Sequence, residues 1–578
     1  MAALAMGVLL IGTPAVGQQP PAASVVRPAP PRQTGLPGAV EVGALGAPDG
    51  PPAGLLDAGN GGLPPAIWQD SPRDLVEDLL GRAPLATSVP AVRGLTRVLL
   101  LTTADAPLGA APHAFLSVRL RKLLDGGLVD EAADLAMKSA VEGDAELDRL
   151  KADALLFAGR DADVCGSATA GRLNKSDSFW IELRAYCYAA SNNADAFELT
   201  RSVIHAQGQA DAAFETLLDD VRNHATASPG DIAAPTALHV FLLNKAGLPV
   251  EPSLGEQLGI PASLAAMRSV NNTPSARLAA AEAVAPTGAA PVTELAAIAD
   301  AQSFARAQIE AARTAADGMP FLAGQALLRQ AIREKPNPAA RADLVFRALE
   351  LGASAGRLTL AAGLQADAAA SVVPDVSLRP MAPLMATALL LAGKVDAAAL
   401  WMQLFDQNEN TDRTFASTFA TALALAAPSA AHDAGAQAGY AWLIAHETPQ
   451  SPAAQYATLV RGLYAALGLP LVLPDTTVAP ALEISLGRRP PPAVLLRIDA
   501  GLKDRGREGE SLLAMLDFIG TEGPSNIAPE ATARFVRTLA RFGLAERARA
   551  LALESLLLFR PILVPVPPRP PPPPASAQ

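Results

Sequence analysis

The chain has 578 residues, enough for several domains on the usual prior of roughly 150 residues each. Half of its residues are hydrophobic but only 4% are aromatic, a composition that suits closely packed, alanine-rich helices better than β-sheets. The net charge of -11 and the pI near 5.2 argue against nucleic-acid binding, which needs a surplus of Lys and Arg. We therefore expect an all-α protein with no nucleic-acid partner.

The first 17 residues have the pattern of a secretory signal peptide. An apolar run from Ala2 to Gly12 is followed by Pro14 and by the small residues Ala15 and Gly17, which is typical of cleavage after Gly17. The Lys or Arg that usually precedes such a run is missing, so the alternative is a disordered apolar N-terminus that is not a signal. Because no stretch is long enough for a membrane-spanning helix, we expect a soluble bacterial protein that is periplasmic or secreted.

Proline-rich segments flank the helical part of the chain. Residues 18–66 are crowded with Pro, Gly and Ala and predict a disordered linker. Residues 561–578 contain a proline run that favours polyproline II, either as a spacer or ligand or as an unstructured tail. The predicted domains are a signal peptide (1–17), the linker (18–66), helical block one (67–375), helical block two (376–560) and the tail (561–578). Prolines within residues 369–383 set the boundary between the blocks.

Helical hairpins recur between residues 67 and 560. In LRKLLDGGLVDEAADLAMKSA, residues 120–140, a leucine stripe ends at two glycines, and a second helix begins with acidic residues. Three such hairpins have a glycine at the turn, an acidic residue three positions later and an alanine five positions later. Their glycines and alanines are Gly127 and Ala132, Gly393 and Ala398, and Gly543 and Ala548. We expect the glycine to reverse the chain and the alanine to let the two helices approach closely. Weaker copies surround Gly159 and the pair Asn192-Asn193.

This pattern resembles the tetratricopeptide repeat (TPR), whose first helix ends in a glycine and whose second helix has a small residue at this offset. The resemblance covers about five hairpins, and the copies are degenerate because the tryptophan and the closing proline of the repeat are not in register. It implies antiparallel helical hairpins stacked as a TPR-like α-solenoid, or superhelix. The concave face of such an array binds proteins or peptides, with no cofactor and no catalytic residue. The alternative is an antiparallel helical domain without solenoid curvature.

The chain contains two cysteines, Cys165 and Cys187, which lie on successive predicted helices at similar distances from a turn near Lys175. If the helices pack antiparallel, the two thiols lie at a similar height, so a disulfide is geometrically allowed and is expected in an oxidising compartment. The alternative is a pair of buried thiols. No metal site is expected, because no histidine lies at ligand spacing from either cysteine.

One short motif suggests hydrolase chemistry. GASAG, residues 352–356, matches the G-x-S-x-G nucleophile motif, with Ser354 as the nucleophile and His432 or His446 as the base. That motif requires a strand before it, whereas the preceding ARADLVFRALEL predicts a helix. We therefore expect Ser354 to lie in a helix-ending loop and not to be catalytic.

A second enzyme class combines an exported helical superhelix with catalysis. Lytic transglycosylases, which cleave peptidoglycan, place their catalytic acid in a Glu-Ser motif followed by a glycine-rich segment. Neither Glu510-Ser511 nor Glu554-Ser555 is followed by such a segment. We therefore predict a non-enzymatic protein-binding or scaffold module of the cell envelope. The alternative is a superhelical accessory protein, or a degenerate relative of a peptidoglycan-processing enzyme, with peptidoglycan as a possible partner.

Overall fold

The computed structural model describes residues 49–141, 143–169, 177–208, 211–405, 410–446, 452–472 and 487–559. These residues belong to one compact unit, residues 47–578. They form 29 α-helices, five short 3-10 helices and three isolated β-bridges, and this part of the chain contains no β-strand. The prediction of an all-helical fold is confirmed. The predicted signal peptide (1–17), the linker up to residue 48 and the tail (561–578) lie outside the described residues.

The first ten helices include three of the predicted hairpins. They are α1 (Arg73–Arg82), α2 (Pro90–Leu101), α3 (Phe115–Asp125), α4 (Val129–Lys138), α5 (Ala145–Phe157), α6 (Asp161–Thr169), α7 (Ser178–Ala190), α8 (Ala194–Ala206), α9 (Ala212–Asn223) and α10 (Ala237–Lys245). Helices α5, α7, α8 and α9 begin after Asp144, Asp177, Asn193 and Asp211, whose side chains accept hydrogen bonds from backbone N–H groups of the first turn. These caps satisfy donors that a helix start leaves without a partner.

The next ten helices are less regular in length. They are α11 (Leu254–Leu258), α12 (Ile260–Arg268), α13 (Pro274–Val284), α14 (Val292–Asp300), α15 (Arg306–Glu310), α16 (Ala312–Ala315), α17 (Phe321–Glu334), α18 (Pro338–Ser354), α19 (Leu358–Leu364) and α20 (Ala366–Ala370). Helices α11, α15, α16 and α20 have only four or five residues. Two 3-10 helices, Ala285–Thr287 and Ala316–Gly318, also lie here. The spacing between hairpins is therefore irregular in this region.

The last nine helices return to longer elements. They are α21 (Ala382–Leu391), α22 (Val395–Met402), α23 (Asn410–Ala426), α24 (Ala430–Ala445), α25 (Pro452–Leu467), α26 (Pro492–Lys503), α27 (Glu508–Ile519), α28 (Pro529–Arg541) and α29 (Ala545–Leu558). The 3-10 helices are Val376–Met381, Arg505–Arg507 and Gly523–Asn526. Helices α18 and α19 both pack against α21, so contacts cross the predicted boundary near residue 375. The division into two blocks stays a prediction.

The structure differs from the prediction of a disordered linker over residues 49–66, which pack against α2 and α3. The N–H groups of Leu55 and Leu56 both donate to the carbonyl of Leu101, at 2.8 and 2.9 Å. The buried guanidinium of Arg119 donates to the carbonyls of Ala53 and Leu100. Burial of this guanidinium lowers its pKa to about 10. Long-range hydrogen bonds order this segment although its composition lacks a periodic apolar pattern.

Helices near the start and near the end of the described chain pack against each other. Helix α1 contacts α27, and α2 contacts both α27 and α29. The N–H of Gly509 donates to the carbonyl of Ile67 at 3.0 Å, and the hydroxyl of Thr87 donates to the carbonyl of Thr521 at 2.7 Å. The resemblance to a solenoid does not predict contacts between the two ends, because each unit of a solenoid touches only its neighbours.

Candidate functional site

The turns of six helical hairpins share one hydrogen-bond pattern. At the first of them, the N–H of Leu128 donates to the carbonyl of Leu123, and the N–H of Gly127 donates to the carbonyl of Leu124, both at 2.8 Å. The same pair of bonds, a Schellman motif, closes five further hairpins. The six turn residues are Gly127, Gly159, Asn192, Gly356, Gly393 and Gly543, with φ between 55° and 80°. Five of these six turns are at the positions that the sequence predicts.

The alanines predicted to allow close helix packing are fully buried. Ala132, Ala398 and Ala548 all have 0% exposure, each in the second helix of its hairpin. The hairpin at Gly356 was missed because it has Thr359 instead of an acidic residue three positions after the glycine. Its alanine, Ala361, is also buried, and a side chain at Gly352 of α18 would overlap it. The glycine and alanine offsets alone would have found this sixth hairpin.

We expect Gly127→Ala to lower the free energy of unfolding more than Gly393→Ala does, although both residues occupy equivalent turns. At Gly393 an added Cβ meets no atom within 4 Å, so only the left-handed backbone is strained, at about 1 kcal/mol. At Gly127 the Cβ would lie 2.6 Å from Ile260 Cγ2 and 2.7 Å from Ala289 Cβ, which adds overpacking and gives a total of about 2–4 kcal/mol. Urea denaturation checks this order. Equal costs would contradict the packing of this turn against α12.

Cys165 and Cys187 are joined by a disulfide, with their Cα atoms 5.4 Å apart. The bond links α6 to α7, which pack against each other, and residues 170–176 between them lie outside the described chain. Cys187 is buried beside Tyr186, whose ring packs edge-on against Phe241 at 5.2 Å. Cys187 belongs to the buried core and Cys165 is partly buried against it, so the disulfide lies at the edge of the packed interior.

The structure places the candidate hydrolase residues on ordinary helix ends. Ser354 is the last residue of α18, and its hydroxyl donates to the carbonyl of Leu351 at 3.1 Å. The Nδ1 atoms of His432 and His446 lie 2.6 and 2.9 Å from carbonyls in or beside α24. Because a helix and not a strand precedes Ser354, the residue is not on the strand-to-helix turn of a nucleophile motif.

The two Glu-Ser pairs lie inside the helical packing. Glu554 of α29 is 9% exposed and accepts a hydrogen bond from the N–H of Ala91 at 3.0 Å. Glu510 of α27 is 1% exposed and forms an ion pair with Arg507 at 2.9 Å. Ser511 donates its hydroxyl hydrogen bond to the carbonyl of Arg497. The Glu554 carboxylate thus links α29 to α2, whereas the Glu510 carboxylate pairs with a residue next to its own helix.

Burial raises the pKa of Glu554 to about 7, and the N–H of Ala91 opposes part of that shift. Between about pH 4.5 and about pH 7 the Glu554 carboxyl keeps its proton in the folded protein but has lost it in the unfolded chain. The unfolding free energy therefore falls as the pH rises through this range. We expect Glu554→Gln to reduce this fall and to stabilise the protein at pH 8 by up to ~3 kcal/mol. Urea denaturation at several pH values checks it. The control is Glu546→Gln, an exposed site on the same helix. Identical pH profiles for the two variants would contradict the assignment.

A buried histidine that the sequence did not single out joins the starts of α9 and α10. His239 Nδ1 accepts a hydrogen bond from the N–H of Thr236 at 3.2 Å, and its Nε2 lies 3.1 Å from Asp211 Oδ2. Burial lowers the pKa of His239 while Asp211 opposes that shift. The geometry assigns a neutral ring that donates from Nε2 to the carboxylate. Both ring nitrogens therefore have structural partners, and the network acts as a helix cap.

Two of the open grooves in the described part of the chain lie between helices. The larger, about 540 Å³, lies between α26 and α28 and we name it the arginine groove. Its lining residues are Arg489, Pro490, Leu495, Asp499, Leu502, Glu530, Ala531, Arg534, Arg537, Thr538 and Arg541. The second, about 360 Å³, is lined by residues of α3, α5, α10 and α12, including Arg121, Arg149 and Phe157. Both combine charged and apolar side chains, as ligand sites commonly do.

Comparisons with known proteins found no matching family model, no similar curated protein and no similar solved structure. Over the described parts of the chain, no group of three or more His, Cys, Asp or Glu side chains could hold a metal ion. In the same residues, no helix is both long and apolar enough to cross a bilayer.

Proposed function

We propose that this chain is an exported bacterial helical-repeat protein of TPR-like type that binds protein partners, as a binding or scaffold module of the cell envelope. The observation that carries the proposal is the recurrence of one hairpin turn at six positions, each followed by a second packed helix. Arrays of helical hairpins offer extended surfaces for peptides and proteins. The disulfide between Cys165 and Cys187 supports an oxidising compartment, because such bonds persist outside the cytosol.

Capture of partners by the full-length protein tests the binding function. The tagged protein is incubated with envelope extract, and captured proteins are then purified and mixed with it at known concentration. We expect at least one purified partner to co-elute with the protein in size-exclusion chromatography. Co-sedimentation with purified peptidoglycan, without any protein partner, would overturn the proposal in favour of an accessory protein of peptidoglycan processing.

Fractionation of cells tests export separately. The full chain is expressed in a bacterium, and the periplasmic fraction is released by osmotic shock. We expect the protein there with an N-terminus at Gln18, since the sequence predicts cleavage after Gly17. Full-length protein confined to the cytosolic fraction would overturn the proposed location.

A further inference from the structure

The arginine groove lies between α26 and α28, and each of these helices packs against other helices. Helix α26 packs mainly against α27, whereas α28 packs against α25 and α29. The side chains of Ala531 and Thr538 on α28 are buried at the floor, and Leu495 and Leu502 of α26 are partly buried on the opposite wall. The groove is thus built from anchored elements, which favours a preformed binding site over a transient gap.

The groove carries a positive charge on an acidic protein. Of its six charged lining residues four are arginines and two are acids, a formal charge of 4 - 2 = +2, whereas the whole chain has -11. Arg489 pairs with Glu530 at 3.1 Å, and Arg534 pairs with Asp499 across the groove. Both acids are therefore already paired.

Two arginines remain available to a ligand. Arg537 and Arg541 are exposed and lie four positions apart on α28, and neither forms an ion pair with another described residue. With Arg534 they make a stripe at positions i, i+3 and i+7, so all three guanidinium groups lie on one face. Like charges at such spacing repel by a few tenths of a kcal/mol per pair, and a bound anion would remove this repulsion.

The arginines and the apolar residues that line the groove favour a peptide ligand with carboxylates and apolar side chains. A guanidinium binds a carboxylate through two parallel hydrogen bonds, and two guanidinium groups one turn apart suit two carboxylates. The apolar wall of Pro490, Leu495 and Leu502 offers contact to an apolar side chain beside them. A volume of about 540 Å³ suits a short peptide segment better than a single small anion.

We propose that the arginine groove binds a carboxylate-rich peptide segment of the partner protein, with Arg537 and Arg541 holding its carboxylates. This inference rests on the proposed protein-binding function and names the chemistry of the partner. It also accounts for an arginine stripe on an otherwise acidic molecule. Binding weakens as salt is added, because both arginines are exposed to solvent.

Fluorescence anisotropy with the full-length protein tests the site. The probe is a fluorescein-labelled, end-blocked hexapeptide of four glutamates and two leucines, and the comparison peptide has glutamine in place of glutamate. The groove variant is Arg537→Gln/Arg541→Gln. The control variant is Arg306→Gln/Lys138→Gln, which removes the same charge from two exposed sites on α15 and α4. Unchanged melting temperatures show that both variants are folded.

We expect the groove variant to bind the acidic probe at least about 10-fold more weakly, and the control variant to change Kd by less than about 2-fold. The glutamine peptide should bind no more tightly to the wild-type protein than to the groove variant. An equal loss of affinity for the acidic probe in the groove and control variants would overturn the proposal. Equal affinity of the wild-type protein for the two peptides would also overturn it. Binding of citrate or inorganic phosphate without binding of the peptide would overturn it as well, in favour of a small-anion site.

The envelope capture separates this inference from the proposed function. Loss of the partner by the groove variant, but not by the control variant, supports the inference. Capture by both variants would overturn the inference and leave the protein-binding function standing. If the wild-type protein captured no partner, the proposed function itself would fail, whatever the peptide result.

Discussion

Trp68→Ala is expected to lower the free energy of unfolding by about 3–5 kcal/mol, the cost of removing a large aromatic side chain from a packed core. Trp68 is 1% exposed, and its ring packs edge-on against Phe115 with the ring centroids 6.1 Å apart. It also packs against Gly509 of α27, where any side chain would overlap the indole ring. The tryptophan thus packs between Phe115 of α3, near the start of the described chain, and Gly509 of α27, near its end.

Urea denaturation followed by circular dichroism measures this effect. Leu496→Ala is the matched control, because Leu496 is 70% exposed and its truncation should cost less than about 0.5 kcal/mol. Gly509→Ala should also destabilise the protein, since its Cβ would enter the space of Trp68. The double variant Trp68→Ala/Gly509→Ala should lose less unfolding free energy than the sum of the losses in the two single variants. A small effect of Trp68→Ala, equal to that of Leu496→Ala, would contradict the contact.

Local signals in the sequence predicted an all-helical chain and five of the hairpin turns. Apolar residues at helical spacing define an element without reference to the rest of the chain. A turn glycine such as Gly393 and a buried alanine such as Ala398 lie five positions apart, so the pattern can be read within one segment. The arginine stripe of α28 was not predicted, although its i, i+3 and i+7 spacing lies within one local segment, RFVRTLAR.

Contacts between distant segments could not be predicted. Trp68 and Gly509 are far apart in the sequence, and no local pattern around either residue predicts that they are in contact. Residues 49–66 are ordered by hydrogen bonds to Leu101 and Arg119, whereas their own composition suggests disorder. The arginine groove likewise depends on Asp499 of α26 facing Arg534 of α28, and these two residues are 35 positions apart in the sequence.

Loss of the disulfide is expected to lower the free energy of unfolding by roughly 3 kcal/mol. The bond closes a loop with a sequence separation of 22 residues, and removing the cross-link gives the unfolded chain more freedom. The variant Cys165→Ala/Cys187→Ala should therefore unfold at lower urea than the wild-type protein. Ser167→Ala, an exposed position on α6, is the control and should change stability by less than about 0.5 kcal/mol.

A reductant separates the cross-link from the loss of two packed side chains. It should lower the stability of the wild-type protein towards that of the double variant, and leave the double variant unchanged. Because the thiols exist only after reduction, alkylation of native protein before reduction should label neither Cys165 nor Cys187. If both cysteines are alkylated in protein taken directly from the producing cells, the disulfide is not formed there. The chain would then fold in a reducing compartment, and the proposal of an exported protein would fail together with the stabilising role of the bond.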